Sequence, residues 1–197
     1  MVDEPIALAA ASRPYPGETA NGDAWTVQWH GGICRVAVID GLGHGPVAEF
    51  AARCAIDTLV AHPTLAPIDA ILACHHALHG TRGAVLSIAA INLDRGELTY
   101  AGVGNVEAQL WQGGRTQRLI AYRGIVGLTL PTVRSFVVPL EREWVLLLHT
   151  DGVSARFAME NLPEFTDPGP GSLATAVLAG WGRETDDATV VVTRSRP

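Results

Sequence analysis

The sequence predicts an α+β fold in which two antiparallel sheets lie together with helices packed on their outer faces. Short apolar segments of strand length recur along the chain, and several are joined by glycine-containing turns that read as hairpins. The helical patterns are grouped, so the regular βαβ alternation of a parallel sheet is missing. The 197 residues, 48% hydrophobic and 17% charged, suit one compact core and a single domain over 1–197.

Taken in order, Pro5–Ser12 is a short apolar strand, and Ser12–Glu18 is a loop punctuated by Pro14, Pro16 and Gly17. Asp23–His30 and Ile33–Asp40 are strands joined at Gly31-Gly32. Pro46–Ala61 is a helix: Pro46 suits the first helical position, where its missing N–H costs nothing, and Val47, Phe50, Ala51 and Cys54 recur at helical spacing. Pro67–His79 is a second helix opened by proline. Strands follow at Ala84–Leu93, Glu97–Val103, Val106–Gln112 and Thr116–Ile120, with turns at Asp94-Arg95-Gly96 and Gly113-Gly114. Arg134–Leu140 and Glu143–Thr150 read as a further antiparallel pair. Pro163–Gly171 is a surface loop, Ser172–Trp181 a helix and Ala188–Thr193 the closing strand.

A formal charge of -6 argues against a nucleic-acid partner, which favours a basic surface. No apolar run approaches the roughly 18 residues a membrane span needs. The start, Met1-Val2-Asp3-Glu4-Pro5, lacks the basic and apolar regions of a signal peptide, so a cytoplasmic location is expected. Cys34, Cys54 and Cys74 form no CxxC pair and read as free thiols.

The informative pattern is the placing of the aspartates. The apolar run Arg35–Ile39 ends in Asp40-Gly41, and Val145–Thr150 ends in Asp151-Gly152. Asp186-Asp187 stands just before Val190-Val191-Val192, and Asp23 opens an early strand. Carboxylates at the ends of core strands converge on one edge of a sandwich and repel one another. Divalent cations relieve that repulsion, and all-oxygen ligands suit Mg²⁺ or Mn²⁺. Asp-Gly is also a common turn dipeptide, so one such step alone reads as a plain turn; two after buried runs, with Asp-Asp before a third, raise the case for a metal site. Glycine after each aspartate is expected to permit a sharp turn and leave the backbone carbonyl open to a metal.

These residues resemble the PPM family, the protein phosphatase 2C type. Asp40-Gly41-Leu42-Gly43-His44-Gly45 opening a helix resembles its signature, Thr150-Asp151-Gly152-Val153 its second aspartate motif, Asp186–Val192 its C-terminal one, and Gly22-Asp23 its early aspartate. The order agrees from about residue 5 to residue 195. Within the family the chain is most similar to the bacterial branch containing SpoIIE, RsbU and RsbX. Its short length, Thr81-Arg82-Gly83-Ala84 and Ala101-Gly102-Val103-Gly104-Asn105-Val106 resemble the RsbX type. The resemblance implies a four-layer α-β-β-α sandwich with two Mn²⁺ or Mg²⁺ ions at one end. It implies that Asp40 bridges both ions and the Gly41 carbonyl binds one. It also implies that Asp151 and Asp186 would ligate one ion, that Asp23 would lie at or near the other, and that Asp187 would take the position beside the Asp186 ligand. Direct hydrolysis by a metal-activated water is the implied chemistry, with Asp40, Asp151 and Asp186 carrying it. Phosphorylated STAS-domain proteins of a stressosome are the implied partners. The alternatives are an RsbU-like phosphatase acting on an anti-sigma-factor antagonist, and a non-catalytic binding module of the same fold.

The chain departs from the family pattern in places. Glu18 stands where larger relatives hold the substrate phosphate with an arginine, leaving the metals or an arginine such as Arg13 for that task. Asn105 stands where many relatives have an aspartate that supports a third metal. The short interval from Asp151 to Asp186 leaves little room for the flap of larger members, so an open site is expected. His44 reads as a turn-stabilising side chain, with proton transfer to the leaving oxygen as the alternative. His75, His76 and His79 read as a solvated helix face, since the glutamate of a HExxH zinc motif is missing.

Overall fold

A computed structural model of the chain describes residues 5–154, 156–159, 162 and 169–196. Ten strands and three helices follow in the order β1 (Ile6–Arg13), β2 (Asp23–His30), β3 (Ile33–Gly41), α1 (Pro46–Ala61), α2 (Pro67–Ala77), β4 (Ala84–Asn92), β5 (Glu97–Val103), β6 (Glu107–Gln112), β7 (Arg115–Leu119), β8 (Phe136–Pro139), β9 (Trp144–His149), α3 (Pro170–Trp181) and β10 (Ala188–Ser195). They form two five-stranded sheets, ordered β1-β10-β9-β6-β7 and β2-β3-β4-β5-β8, with every pairing antiparallel.

The sequence dictates the layering through alternation. In β3, Cys34, Val36 and Val38 point into the space between the sheets, where they meet Ile6, Leu110, Leu146, Leu148 and Val191. Ala37 and Ile39, on the opposite face, pack beneath Ala52, Ala55 and Leu59 of α1 and Ile71 and Cys74 of α2. On the other sheet, Val145, Leu147, Val190 and Val192 face outwards onto Leu173, Ala174 and Val177 of α3. Central strands buried on both faces read as unbroken apolar runs, which is why β3 and β9 stand out in the sequence. The result is the expected α-β-β-α sandwich.

One pairing differs. β8 and β9 do not form a hairpin: β8 lies at the edge of one sheet beside β5, while β9 lies in the other sheet between β10 and β6. Burial explains the separation. Every residue of β9 is buried, so it needs a neighbour on each side, whereas three of the four β8 residues are half-buried or exposed and suit an edge. Several limits also shift. β1 runs on through Ser12 and Arg13, which pair with Thr189 and Ala188. α2 stops at Ala77, where the Leu78 N–H donates to the Cys74 carbonyl. α3 begins at Pro170 inside the expected loop, of which residues 163–168 lie outside those described. The three cysteines are free thiols. Among the described residues no helix is long and apolar enough to cross a membrane.

Candidate active site

The aspartate-bearing strand ends of both sheets meet at one end of the sandwich. Asp23 begins β2 and stands opposite Asp40 of β3 in the pairing register. Asp151 follows β9, and Asp186-Asp187 precede β10, the neighbour of β9. Asp40, Asp151 and Asp186 line a cleft of ≈ 260 Å³ with Leu42, Gly43, Val85, Asn105 and Ile125.

The Asp151-Gly152 step lies in a turn closed by the Val153 N–H on the Thr150 carbonyl, and both Asp-Gly steps have a further reason. Neither Gly41 nor Gly152 has a positive φ. What each requires is close approach. A side-chain carbon on Gly41 would overlap the Ala48 carbonyl oxygen of α1, and one on Gly152 would overlap the Asp187 carbonyl oxygen. Gly41 therefore lets α1 sit directly on the end of β3, and Gly152 lets the β9 end touch the β10 entry. The positive φ values belong to Gly43 (φ 90) and Gly45 (φ 74), which turn the chain from β3 into α1.

Hydrogen bonds sort the five aspartates into two groups. Asp23 is buried, and its Oδ2 accepts a 2.6 Å hydrogen bond from the Thr150 hydroxyl. That hydroxyl also accepts from the Thr189 N–H at 3.0 Å, so Thr150 ties β2 of one sheet to the β9–β10 end of the other. Asp187 is buried too; its Oδ1 accepts from the Tyr15 N–H at 2.8 Å and its Oδ2 has no partner among the described residues. Asp23 and Asp187 thus sit behind the cleft, while Asp40, Asp151 and Asp186 face it. Asp151 is held by Asn105, whose side-chain amide donates at 2.6 Å. Asp186 accepts the N–H of Asp187 at 3.0 Å.

Burial pushes the Asp40 carboxyl up to about 9, and the charges of Asp23, Asp151, Asp186 and Asp187 add to the rise. Asp23 is pushed to about 7, again mainly by burial, with the hydrogen bonds from Thr150 and Thr189 pulling the other way. Asp186 is raised by burial and by Asp151. Such crowding of carboxylates is what a divalent cation relieves. Among the described residues no three acidic, histidine or cysteine side chains already close on one point as a metal cage. The donors that share the cleft are all hard oxygens, and one buried Asp187 oxygen lacks a partner, which fits Mg²⁺ or Mn²⁺ better than a softer metal.

His44 stacks on Tyr15 with ring centroids 4.4 Å apart, and its Nδ1 lies 3.3 Å from Glu18. It braces the glycine turn, as its sequence position suggests. Arg13 is turned away, its guanidinium donating to the Arg183 carbonyl. The sequence reading missed the Thr150 relay, although the residue lies inside a motif it singled out. It also missed the clasp of Asn105 on Asp151, since spacing says nothing about a partner 46 positions away.

The profile of the Stage II sporulation protein E (SpoIIE) family matches residues 30–196. The phosphoserine phosphatase RsbX of Bacillus subtilis (strain 168) is 28% identical over 140 residues, which cover 70% of this chain and 70% of RsbX. A chain solved in work on "The bacterial stressosome: a modular system that has been adapted to control secondary messenger signaling" is 28% identical, with a TM-score of 0.90 over 97% of this chain and 100% of its own. RsbX in complex with magnesium superposes with a TM-score of 0.87 at 22% identity, over 100% of this chain and 98% of RsbX. The SpoIIE PP2C domain of Bacillus subtilis gives 0.79 at 20% identity, over 96% of this chain and 63% of that one.

Proposed function

The chain belongs to the SpoIIE family, and from that premise we propose that it is a metal-dependent protein serine/threonine phosphatase of the RsbX kind, one PPM-type domain over residues 1–197 acting in the cytoplasm. The observation that carries this reading is the cleft itself, in which Asp40, Asp151 and Asp186 from the ends of separate core strands face one space. Two Mn²⁺ or Mg²⁺ ions, when bound, would supply positive charge for the phosphoryl group and an activated water for in-line attack. Asp40, central among the carboxylates, and the Gly41 carbonyl would hold both ions together. Asp151, aimed by Asn105, and Asp186 would complete one side. Asp23 and Asp187 would support the site from behind through the Thr150 hydroxyl and the Tyr15 N–H.

The substrates we propose are phosphorylated STAS-domain proteins of a stressosome. A phosphoserine phosphatase among the relatives and a stressosome study among the structural neighbours support this choice. An acidic cleft lined by Asp40, Asp151 and Asp186 suits a phosphorylated loop on a folded protein.

The test is release of phosphate from para-nitrophenyl phosphate and from a phosphorylated STAS-domain protein, with Mn²⁺, with Mg²⁺ and with EDTA. Turnover that needs the metal and prefers the STAS protein is expected. Preference for a phosphorylated anti-sigma-factor antagonist would move the chain to the RsbU-like role. Silence on every substrate with either metal would overturn the phosphatase reading and leave a binding module.

A further inference from the structure

Glu18 stands where larger members of the resembled family hold the substrate phosphate with an arginine, and Arg13 is engaged elsewhere. The structure offers another cation. Arg82 lies on the turn between α2 and β4, and its Nη1 is 2.8 Å from the point where a side-chain carbon on Gly43 would stand. Gly43 lines the cleft with Asp40, Asp151 and Asp186. The guanidinium therefore lies against the cleft wall, in a space that only a glycine at position 43 leaves open.

Its backbone is fixed from both sides. The Gly83 carbonyl accepts the Leu42 N–H at 3.1 Å, tying the arginine turn to the glycine loop. The Thr81 hydroxyl accepts the Gly83 N–H at 2.9 Å and donates to the Leu78 carbonyl at 2.7 Å. The Ala84 N–H donates to the Val126 carbonyl. The side chain itself makes no hydrogen bond or ion pair among the described residues and is exposed. Further along the same loop, the Glu18 carboxylate lies 3.3 Å from the corresponding point on Gly45, with the His44 Nδ1 3.3 Å from it. The loop thus carries the Arg82 guanidinium against Gly43, and the Glu18 carboxylate against Gly45.

We propose that the Arg82 guanidinium binds the substrate phosphate, supplying from the α2–β4 turn the fork that Glu18 cannot supply. The inference rests on the phosphatase reading for its substrate. A guanidinium presents parallel N–H donors to two phosphate oxygens, which an ammonium does not reproduce.

The experiment compares wild type, Arg82→Ala and Arg82→Lys in the Mg²⁺-loaded protein. It measures KM and kcat on para-nitrophenyl phosphate and, separately, the affinity for inorganic phosphate by calorimetry. Arg82→Ala should raise KM and weaken phosphate binding in parallel by about ten- to a hundredfold, with Arg82→Lys between. Mg²⁺ affinity and Tm should stay unchanged. Phosphate affinity and KM that hold within about twofold in Arg82→Ala would overturn the inference while turnover keeps the phosphatase reading. Lost Mg²⁺ affinity or a lowered Tm in both variants would overturn it in favour of a structural arginine. Arg82-dependent phosphate binding with no turnover in wild type would sustain the inference and sink the phosphatase reading. A wild type that binds no phosphate and turns nothing over would sink both.

Discussion

Asp23 and Asp40 face each other across the β2–β3 register, yet the chain treats them in opposite ways. Asp23 is supplied with a hydroxyl from Thr150, which lowers the cost of its burial. Asp40 receives no hydrogen bond to its carboxylate among the described residues and bears the cost of burial, with the repulsion of four other aspartates added. Asp187, Asp151 and Asp186 lie between these extremes, each accepting one hydrogen bond among the described residues. Asp23 is satisfied by the protein, whereas Asp40 is left for charge that comes from outside. A fold that leaves Asp40 unsatisfied gives up stability for a site, a trade common at functional positions.

The largest effect should come from removing that front charge. Asp40→Asn is expected to lower metal-dependent turnover by at least about a thousandfold. At the same time it should raise the Tm of the metal-free protein, by about 2–4 °C for each kcal/mol of carboxyl burial cost and repulsion removed. Melting with and without Mg²⁺ checks both halves: wild type should gain Tm from the ion and the variant should not. Equal metal-free melting of the two would break the contrast between Asp40 and Asp23.

Asn105 tests how the front group is aimed. Its amide holds the Asp151 Oδ2, and both residues line the cleft. Partners of this kind are worth about 10–100-fold in metal affinity, so Asn105→Ala should weaken Mn²⁺ binding by that factor, read by titration calorimetry. Unchanged affinity would remove Asn105 from the site. Thr150→Val then tests the rear. It removes the Thr150 donor from a buried Asp23 carboxyl and should cost about 1–3 kcal/mol, with Thr150→Ser restoring most of it. Urea unfolding at constant m-value measures the loss. A neutral result would mean that the hydroxyl bridge between the sheets contributes nothing.

Much of this arrangement was legible in the sequence because burial writes itself into alternation. β3 and β9 are apolar on both faces, so both were visible, and so were the aspartates at which they stop. Proline at the start of α1 and α2 marked the helices. What stayed hidden were relations between distant segments. β8 follows the same local rules whether it pairs with β9 or β5, and only the competition for two-sided burial sends it to the edge. Gly41 and Gly152 looked like turn residues, while the further reason for both is a backbone packed against them from a remote element. Hydrogen bonds such as Thr150 to Asp23 span 127 positions and leave no periodic trace.

The smallest effect concerns a group that the protein satisfies near the opposite rim of the cleft. His75 accepts the Gly127 N–H on Nδ1 at 2.9 Å, holding the segment whose Ile125 lines the cleft. An imidazole that accepts there must be unprotonated at that nitrogen. Burial lowers the His75 pKa, and the neighbouring His79 and His76 lower it further. The folded state therefore binds fewer protons than the unfolded one. The stability this bond gives is fully present above the ordinary value of about 6.5 and is lost as pH falls through the lower folded value. A single exposed-side bond is worth about 0.5–1.5 kcal/mol, so the expected change is local. Protection of the Gly127 amide against hydrogen exchange, taken relative to its intrinsic rate, should drop as pH falls below that window. His75→Ala should lack the protection at every pH. Protection that ignores both pH and the substitution would show that Gly127 is held by the Leu78 side chain packed against it, and the His75 bond would then have no part in setting the rim.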